Sequence, residues 1–179
     1  MKTKLVLHHT ADTSQEPQYD KVWEYHNAGA GGKWPKDHGI QYPYFVERDG
    51  TIMQGREENE TTWHAGSWIV NRQSIGICLA GDFTREDPSR EQLKSLKDLM
   101  IDIQRRVGIN NENIFLHKEV KKTACPGADY RRLIKEKFPE KTLDQRIVQL
   151  QKGADRLKNH NPMRYRRILR LLKRLLRLQ

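Results

Sequence analysis

The sequence predicts an α/β fold: a mixed central β-sheet flanked by helices, followed by a C-terminal helical extension. Three observations lead there. Segments alternate in the order β-α-β-β-β-α-β-α through residue 140. Asp49-Gly50, between two short apolar runs, is a hairpin signal that places two of those strands side by side. After Phe138-Pro139-Glu140-Lys141 the pattern becomes helical only and strongly basic. A length of 179 residues suits one domain of about 130–150 residues with an appendage. The expected units are residues 1–140 and 141–179.

Lys4–Thr10 reads as a short apolar strand. Pro17–Asn27 reads as a helix, with Val22, Trp23 and His26 at helical spacing, and Gly29-Ala30-Gly31-Gly32 ends it. Tyr42–Glu47 and Thr51–Gln54 flank Asp49-Gly50, whose residue types suit the two central positions of a type I′ turn. Ser74–Ala80 has the composition of a buried strand closed by Gly81. A long helix is expected next, opened by Asp87 as cap and Pro88 in its first turn. Leu93, Leu96, Met100, Ile103 and Val107 share one face of it before Gly108. Ile114-Phe115-Leu116 is a short strand and Tyr130–Phe138 a further helix.

The chain is polar, with 36% hydrophobic and 31% charged residues and a mean hydropathy of −0.89, yet four Trp, six Tyr and four Phe are enough to seed a core. No run of about 18 apolar residues exists to span a bilayer. Only Leu5-Val6-Leu7 precedes His8 at the N-terminus, which is too little for a secretory signal. The expectation is a protein made to stay in the cell or to leave it by another route. Cys78 and Cys125 could form at most one disulfide; without an export signal, free thiols or a metal ligand are expected instead, and Cys78, inside an apolar strand, is expected in the core.

Seven histidines are present, and the informative ones end strands. His8-His9 closes the first strand. His117 follows Ile114-Phe115-Leu116, and Cys125 stands eight residues later, before Pro126-Gly127. Two imidazoles and a thiolate are suitable donors for zinc, and three protein ligands leave a fourth position for water, as catalytic sites do. Each residue alone also has a structural reading, as a satisfied polar group or a small buried thiol. Spacing by itself leaves both open.

Leu5-Val6-Leu7-His8-His9-Thr10-Ala11 followed by His117 and Cys125-Pro126-Gly127 resembles the zinc-dependent N-acetylmuramoyl-L-alanine amidases of type 2. That family shares its fold with peptidoglycan recognition proteins and amidase-type phage lysozymes. Gln41-Tyr42-Pro43-Tyr44-Phe45-Val46, Arg48-Asp49-Gly50-Thr51-Ile52, Trp63-His64-Ala65-Gly66 and Asn71-x-x-Ser74-Ile75-Gly76-Ile77 resemble further family segments in the same order. The likeness covers roughly residues 3–138. It implies one Zn2+ held by His8, His117 and Cys125, with His9 on the opposite face of the strand. It also implies a water-handling and proton-passing role for Tyr42, where cytosolic recycling members carry Glu. Thr123 stands where some phage members carry Lys and is the implied oxyanion donor. Tyr42-Pro43-Tyr44 departs from the usual Tyr-His-Phe. Trp63, His64 and Trp34 are expected to line a cleft for sugar or peptide, and Glu119 to be a solvated loop charge. The implied reaction hydrolyses the bond between the lactyl group of N-acetylmuramic acid and L-alanine of the peptidoglycan stem. Tyr42, the missing signal and the basic tail favour a lytic enzyme of the endolysin kind. A muropeptide-recycling amidase and a non-catalytic peptidoglycan-binding module are the alternatives.

Residues 1–140 hold 21 basic and 21 acidic residues, whereas 141–179 hold 12 basic and two acidic, so the whole charge of +10 lies in the tail. Leu143, Ile147, Leu150, Ala154 and Leu157 form one apolar seam on a helix over about 142–159. Asn161-Pro162 opens a second, over about 162–179. At about 100° per residue, Arg166, Arg167, Arg170, Lys173, Arg174 and Arg177 share one arc, with leucines, Ile168 and Tyr165 on the other. About 16 helical residues reach about 24 Å, so such a helix lies at an interface and does not span it. It resembles the cationic tails of some endolysins of phages with Gram-negative hosts, and an anionic membrane or lipopolysaccharide is the expected partner. The alternative is packing of its leucines on the first seam, as a hairpin or an oligomer contact. No specific nucleic-acid binding is expected.

Overall fold

The computed structural model describes residues 1–32, 36, 38–140, 143–158 and 162–176. Its contacts divide the chain into Met1–Phe138 and Pro139–Gln179. In the first unit, five strands form one mixed sheet: β1 (Lys4–His9), β2 (Tyr44–Val46), β3 (Ile52–Gln54), β4 (Ser74–Leu79) and β5 (Ile114–Leu116), in the order β3-β2-β4-β1-β5. Only β2–β3 is antiparallel; β1 runs parallel to β4 and β5, and β2 to β4. The helices are α1 (Tyr19–Asn27), α2 (Trp68–Gln73), α3 (Arg90–Val107), α4 (His117–Val120) and α5 (Tyr130–Lys137).

Strand alternation sorts the side chains onto two faces. Leu5, Leu7, Ile75, Ile77, Leu79, Tyr44, Val46, Ile114 and Leu116 point to the larger core, where Leu93, Leu96, Met100 and Ile103 of α3 and Tyr130, Leu133 and Ile134 of α5 meet them. Phe45 and Cys78 belong to a smaller cluster with Ile40 and Ala80, closed by Tyr19, Val22 and Tyr42. The register sets His8 opposite Cys78 and Val6 opposite Gly76. His8 therefore emerges on the face away from the main core.

Two expected local details differ. The long helix begins one residue after Ser89, not at Asp87-Pro88. Ser89 Oγ accepts from Gln92 N (2.9 Å) while Gln92 Oε1 accepts from Ser89 N (3.1 Å), a reciprocal cap that Asp87 does not form. The hairpin turn is not type I′ either. Glu47 pairs with Thr51, Gly50 N donates to Glu47 O (2.9 Å), and Gly50 alone in that turn has positive φ (+86°). That is a three-residue loop closed by a left-handed glycine, which spares Asp49 a strained conformation. Two short helices were not expected, because neither shows an apolar stripe: α2 leaves Trp68 and Ile69 in solvent, and α4 is a single turn.

In the second unit, α6 (Leu143–Leu157) packs against α7 (Pro162–Leu176); a methyl at Gly153 would lie 3.8 Å from Ile168 Cδ1. Ile147, Ala154 and Leu172 are buried, while Met163, Leu171 and Leu176 are exposed. Arg166, Arg167, Arg170, Lys173 and Arg174 are all exposed. Arg177 lies outside the described residues. Among the described residues, no helix is long and apolar enough to cross a membrane.

Two outcomes are expected. Ser89→Ala should lower stability by about 1 kcal/mol, read as a lower urea midpoint with unchanged slope. Lys2 is buried with its ammonium on the Asn71 carbonyl (3.1 Å), and burial pushes its pKa down from 10.5 to about 8. Between those values the folded chain holds this proton less tightly than the unfolded one, so the Lys2 contribution rises with pH across that window. Urea titrations at pH 8 and 10.5 should show the rise in the wild type relative to Lys2→Met; equal pH profiles would refute it.

Candidate metal centre

His8 is the penultimate residue of β1, and its backbone is fixed from below: the buried Tyr130 hydroxyl donates to the His8 carbonyl (3.1 Å). His117 opens α4 where β5 stops. Glu119 holds that corner, accepting from Leu116 N through Oε2 (2.7 Å) and from Arg131 Nη2 through Oε1 (2.7 Å). Glu119 is exposed, as a solvated charge should be, but it stands on α4 rather than in a loop and also serves as a structural clasp. The loop from His117 to Gly127 folds back on itself. Lys118 N donates to Cys125 O (2.8 Å), and Cys125 N donates to Thr123 Oγ1 (3.2 Å).

This folding brings His8, His117 and Cys125 together, with one ligand atom of each within 4.8 Å of the others. Cys125 Sγ lies 3.8 Å from His8 Nδ1 and accepts from His9 N (3.4 Å). The His8 and His117 ring centroids are 4.4 Å apart. Burial holds both histidines below their ordinary pKa, so they are neutral, and it pushes the Cys125 thiol up to about 11. Both His117 ring nitrogens are buried without a completed hydrogen bond, although the Ala65 carbonyl lies near enough to favour the protonated ring. A buried imidazole left open in this way is costly unless something else occupies it. Zinc fits that requirement: its usual bond lengths put a tetrahedral S···N pair about 3.6 Å apart, close to the separation of Cys125 and His8.

His9, on the other face as expected, accepts from Phe83 N through Nδ1 (3.1 Å), and Asp82 lies 3.8 Å from it. Tyr42 sits beside the site, its ring 5.2 Å from His8 and 5.4 Å from His26. Burial, with the Cys78 and Cys125 thiols nearby acting the same way, holds its pKa well above 10. Thr123 Oγ1 accepts from Cys125 N, which leaves its own hydrogen to give elsewhere. Trp63 is half-buried against His38, with ring centroids 5.4 Å apart. Trp34 lies outside the described residues.

His64 corrects the expectation of a cleft-lining residue. It is buried behind His8, with its Nδ1 2.9 Å from His8 Nε2 and its Nε2 3.1 Å from Ser74 Oγ. Burial lowers its pKa to about 3, so the ring is neutral. A Cβ on Gly76 would stand 2.8 Å from His64 Cγ, so glycine is what lets the ring lie on the sheet. Asn71 Oδ1 accepts from Ala65 N (2.8 Å) and anchors the segment that carries His64. Ser74, Gly76 and Asn71 were visible as a motif but not as parts of a site; the alternation of small residues on the β4 face opposite His8 was the available signal.

The chain is similar in sequence and fold to known proteins. The profile described as N-acetylmuramoyl-L-alanine amidase matches residues 2–128. Peptidoglycan-recognition protein SC1a of Drosophila melanogaster is 29% identical over 129 residues, covering 68% of this chain and 66% of that protein. The endolysin of Escherichia phage T7 is 30% identical over 108 residues, covering 56% and 69%. The chain thus spans about two thirds of the length of these relatives. Among solved structures, the N-acetylmuramoyl-L-alanine amidase LysC from Clostridium intestinale URNW aligns with a TM-score of 0.64 at 33% identity, over 78% of this chain and 87% of that one. The Ph2119 endolysin from a Thermus scotoductus MAT2119 bacteriophage gives 0.65 at 27%, over 78% and 86%. With the profile spanning all five strands and the three residues of the His-His-Cys cluster, the chain belongs to the N-acetylmuramoyl-L-alanine amidase family.

Proposed function

We propose that this chain hydrolyses the amide between the lactyl group of N-acetylmuramic acid and L-alanine in peptidoglycan, using one zinc ion held by His8, His117 and Cys125. The observation that carries the reading is His117, a half-buried imidazole whose two enclosed nitrogens have at most the nearby Ala65 carbonyl as partner, converging with a second imidazole and a thiol. Zinc, when bound, supplies a Lewis acid for the amide carbonyl and an acidified water. The residues around it do the rest. Tyr42, kept protonated by burial, orients water through its hydroxyl and gives its proton to the departing amine, regaining one from the carboxylic acid that the water's attack creates. The Thr123 hydroxyl, with its oxygen engaged by Cys125 N, gives its hydrogen to the carbonyl oxygen as charge develops there. Thr123 replaces the cation some phage members carry, so its contribution is that of a neutral donor.

The tail supports a lytic role on an envelope. Six exposed basic residues line α7 beside exposed Met163, Leu171 and Leu176, a surface suited to anionic lipid headgroups with shallow apolar insertion. The α6–α7 packing covers the middle of the apolar face, so contact in this state is by the arginines and the rim leucines.

Purified protein should contain one zinc per chain and release free L-alanine amino termini from peptidoglycan. Cys125→Ala should lose the zinc and at least about 100-fold in activity; undiminished digestion without metal overturns the proposal. Tyr42→Phe should keep its zinc and lose about 100-fold in kcat, and Thr123→Val about 10-fold or more. Preference for insoluble sacculi over soluble anhydro-muropeptides is the result expected of a lytic enzyme; the reverse preference favours recycling. Deleting 161–179 should abolish leakage from phosphatidylglycerol vesicles while leaving hydrolysis of soluble substrate intact. Unchanged leakage removes the membrane role, and a smaller oligomer after deletion would assign the tail to self-association.

A further inference from the structure

We infer that Ser74 and His64 form a positioning relay that fixes the tautomer of His8, leaving its Nδ1 bare toward His117 and Cys125. The inference rests on the zinc reading above for its consequence, but not for its geometry.

The argument runs from the sheet outward. Ser74 Oγ lies 2.6 Å from the Val70 carbonyl oxygen. Two oxygens that close need a hydrogen between them, and the carbonyl has none, so the Ser74 hydroxyl donates to Val70. Its only hydrogen is then spent. Toward His64 Nε2, 3.1 Å away, Ser74 Oγ can only accept, so His64 carries its proton on Nε2. A neutral imidazole has one N–H, so His64 Nδ1 is a bare acceptor. His8 Nε2, 2.9 Å from that nitrogen, must be the donor. The proton of His8 is thereby committed to the side away from the cluster. Its Nδ1, the nitrogen 3.8 Å from Cys125 Sγ, keeps its lone pair.

Each part of this chain is held by something else. Ser74 is placed by its register with Lys4 at the start of β4 and by its bond back to α2. His64 is fitted against Gly76, and Asn71 anchors the neighbouring Ala65. A metal-binding histidine commonly donates its second N–H to a carboxylate, a carbonyl or water; here a neutral histidine takes that place. Such a partner orients the ring without adding negative charge. The cluster therefore carries only the charge of the thiolate against the ion.

Two measurements test the relay. In the wild-type protein stripped of metal, long-range proton–nitrogen correlation spectra at pH 7.5 should show His8 protonated on Nε2. A His8 ring protonated on Nδ1 overturns the inference whatever the metal affinity. Zinc affinity, measured by chelator competition, should fall about 10- to 100-fold in His64→Leu. His64→Gln should recover most of it, since a carboxamide can accept from His8 Nε2 and donate to Ser74 Oγ. Ser74→Ala should fall about 3- to 10-fold and show both His8 tautomers. Circular dichroism and urea midpoints of the metal-free variants separate this from loss of fold. A folded His64→Leu that binds zinc within twofold of wild type overturns the relay. A wild type that binds no zinc overturns the metal reading instead, and the tautomer spectrum still decides the relay.

Discussion

Parallel pairing of β1 between β4 and β5 is the constraint on which the centre depends. Consecutive residues of a strand face opposite ways, so Leu5 and Leu7 can enter the main core only if His8 leaves it. The same pairing places small residues, Ser74 and Gly76, on the β4 face beside that histidine, and the space they leave is taken by His64. A one-residue slip of β1 would put His9 over the site and His8 in the core. The burial of more than a dozen apolar side chains on the main-core face holds the register against that slip.

Three connections then deliver the other groups to the strand end. Tyr130 reaches across from α5 to the His8 carbonyl, Glu119 and Arg131 fasten the corner where His117 starts α4, and the Thr123–Cys125 turn aims the thiol. None of these is a long-range charge effect. They are short-range hydrogen bonds, buried at Tyr130 and partly exposed at Glu119 and Thr123, and together they explain how a three-residue strand such as β5 can present a firmly held candidate ligand.

Much of this was legible in the sequence. Long buried strands and the amphipathic α3 announce themselves by apolar period, whereas spacing left the roles of His8, His117 and Cys125 open and only the likeness to the amidases singled them out together. What was not legible depended on competition between local options. Asp87-Pro88 and Ser89-x-x-Gln92 are both acceptable helix openings, and the reciprocal cap won. Asp49-Gly50 suits two turn types, and the longer loop requires only glycine in the left-handed region. His64 was misjudged because a histidine beside a tryptophan reads as surface; only the vacant space over Gly76 reveals that it lies beneath the site. Glu119 similarly reads as a loop charge until the fold supplies Leu116 N and Arg131.

The family profile ends at residue 128, yet two supports of the centre lie just beyond it. Tyr130 lies under the His8 backbone, and Arg131 binds both the Ile114 carbonyl and Glu119. A fragment trimmed to the matched region would retain every candidate ligand and lose the struts beneath two of them. For expression and engineering, the smallest piece that keeps the candidate centre and its supports therefore extends through α5, and grafting of a different tail belongs after Phe138.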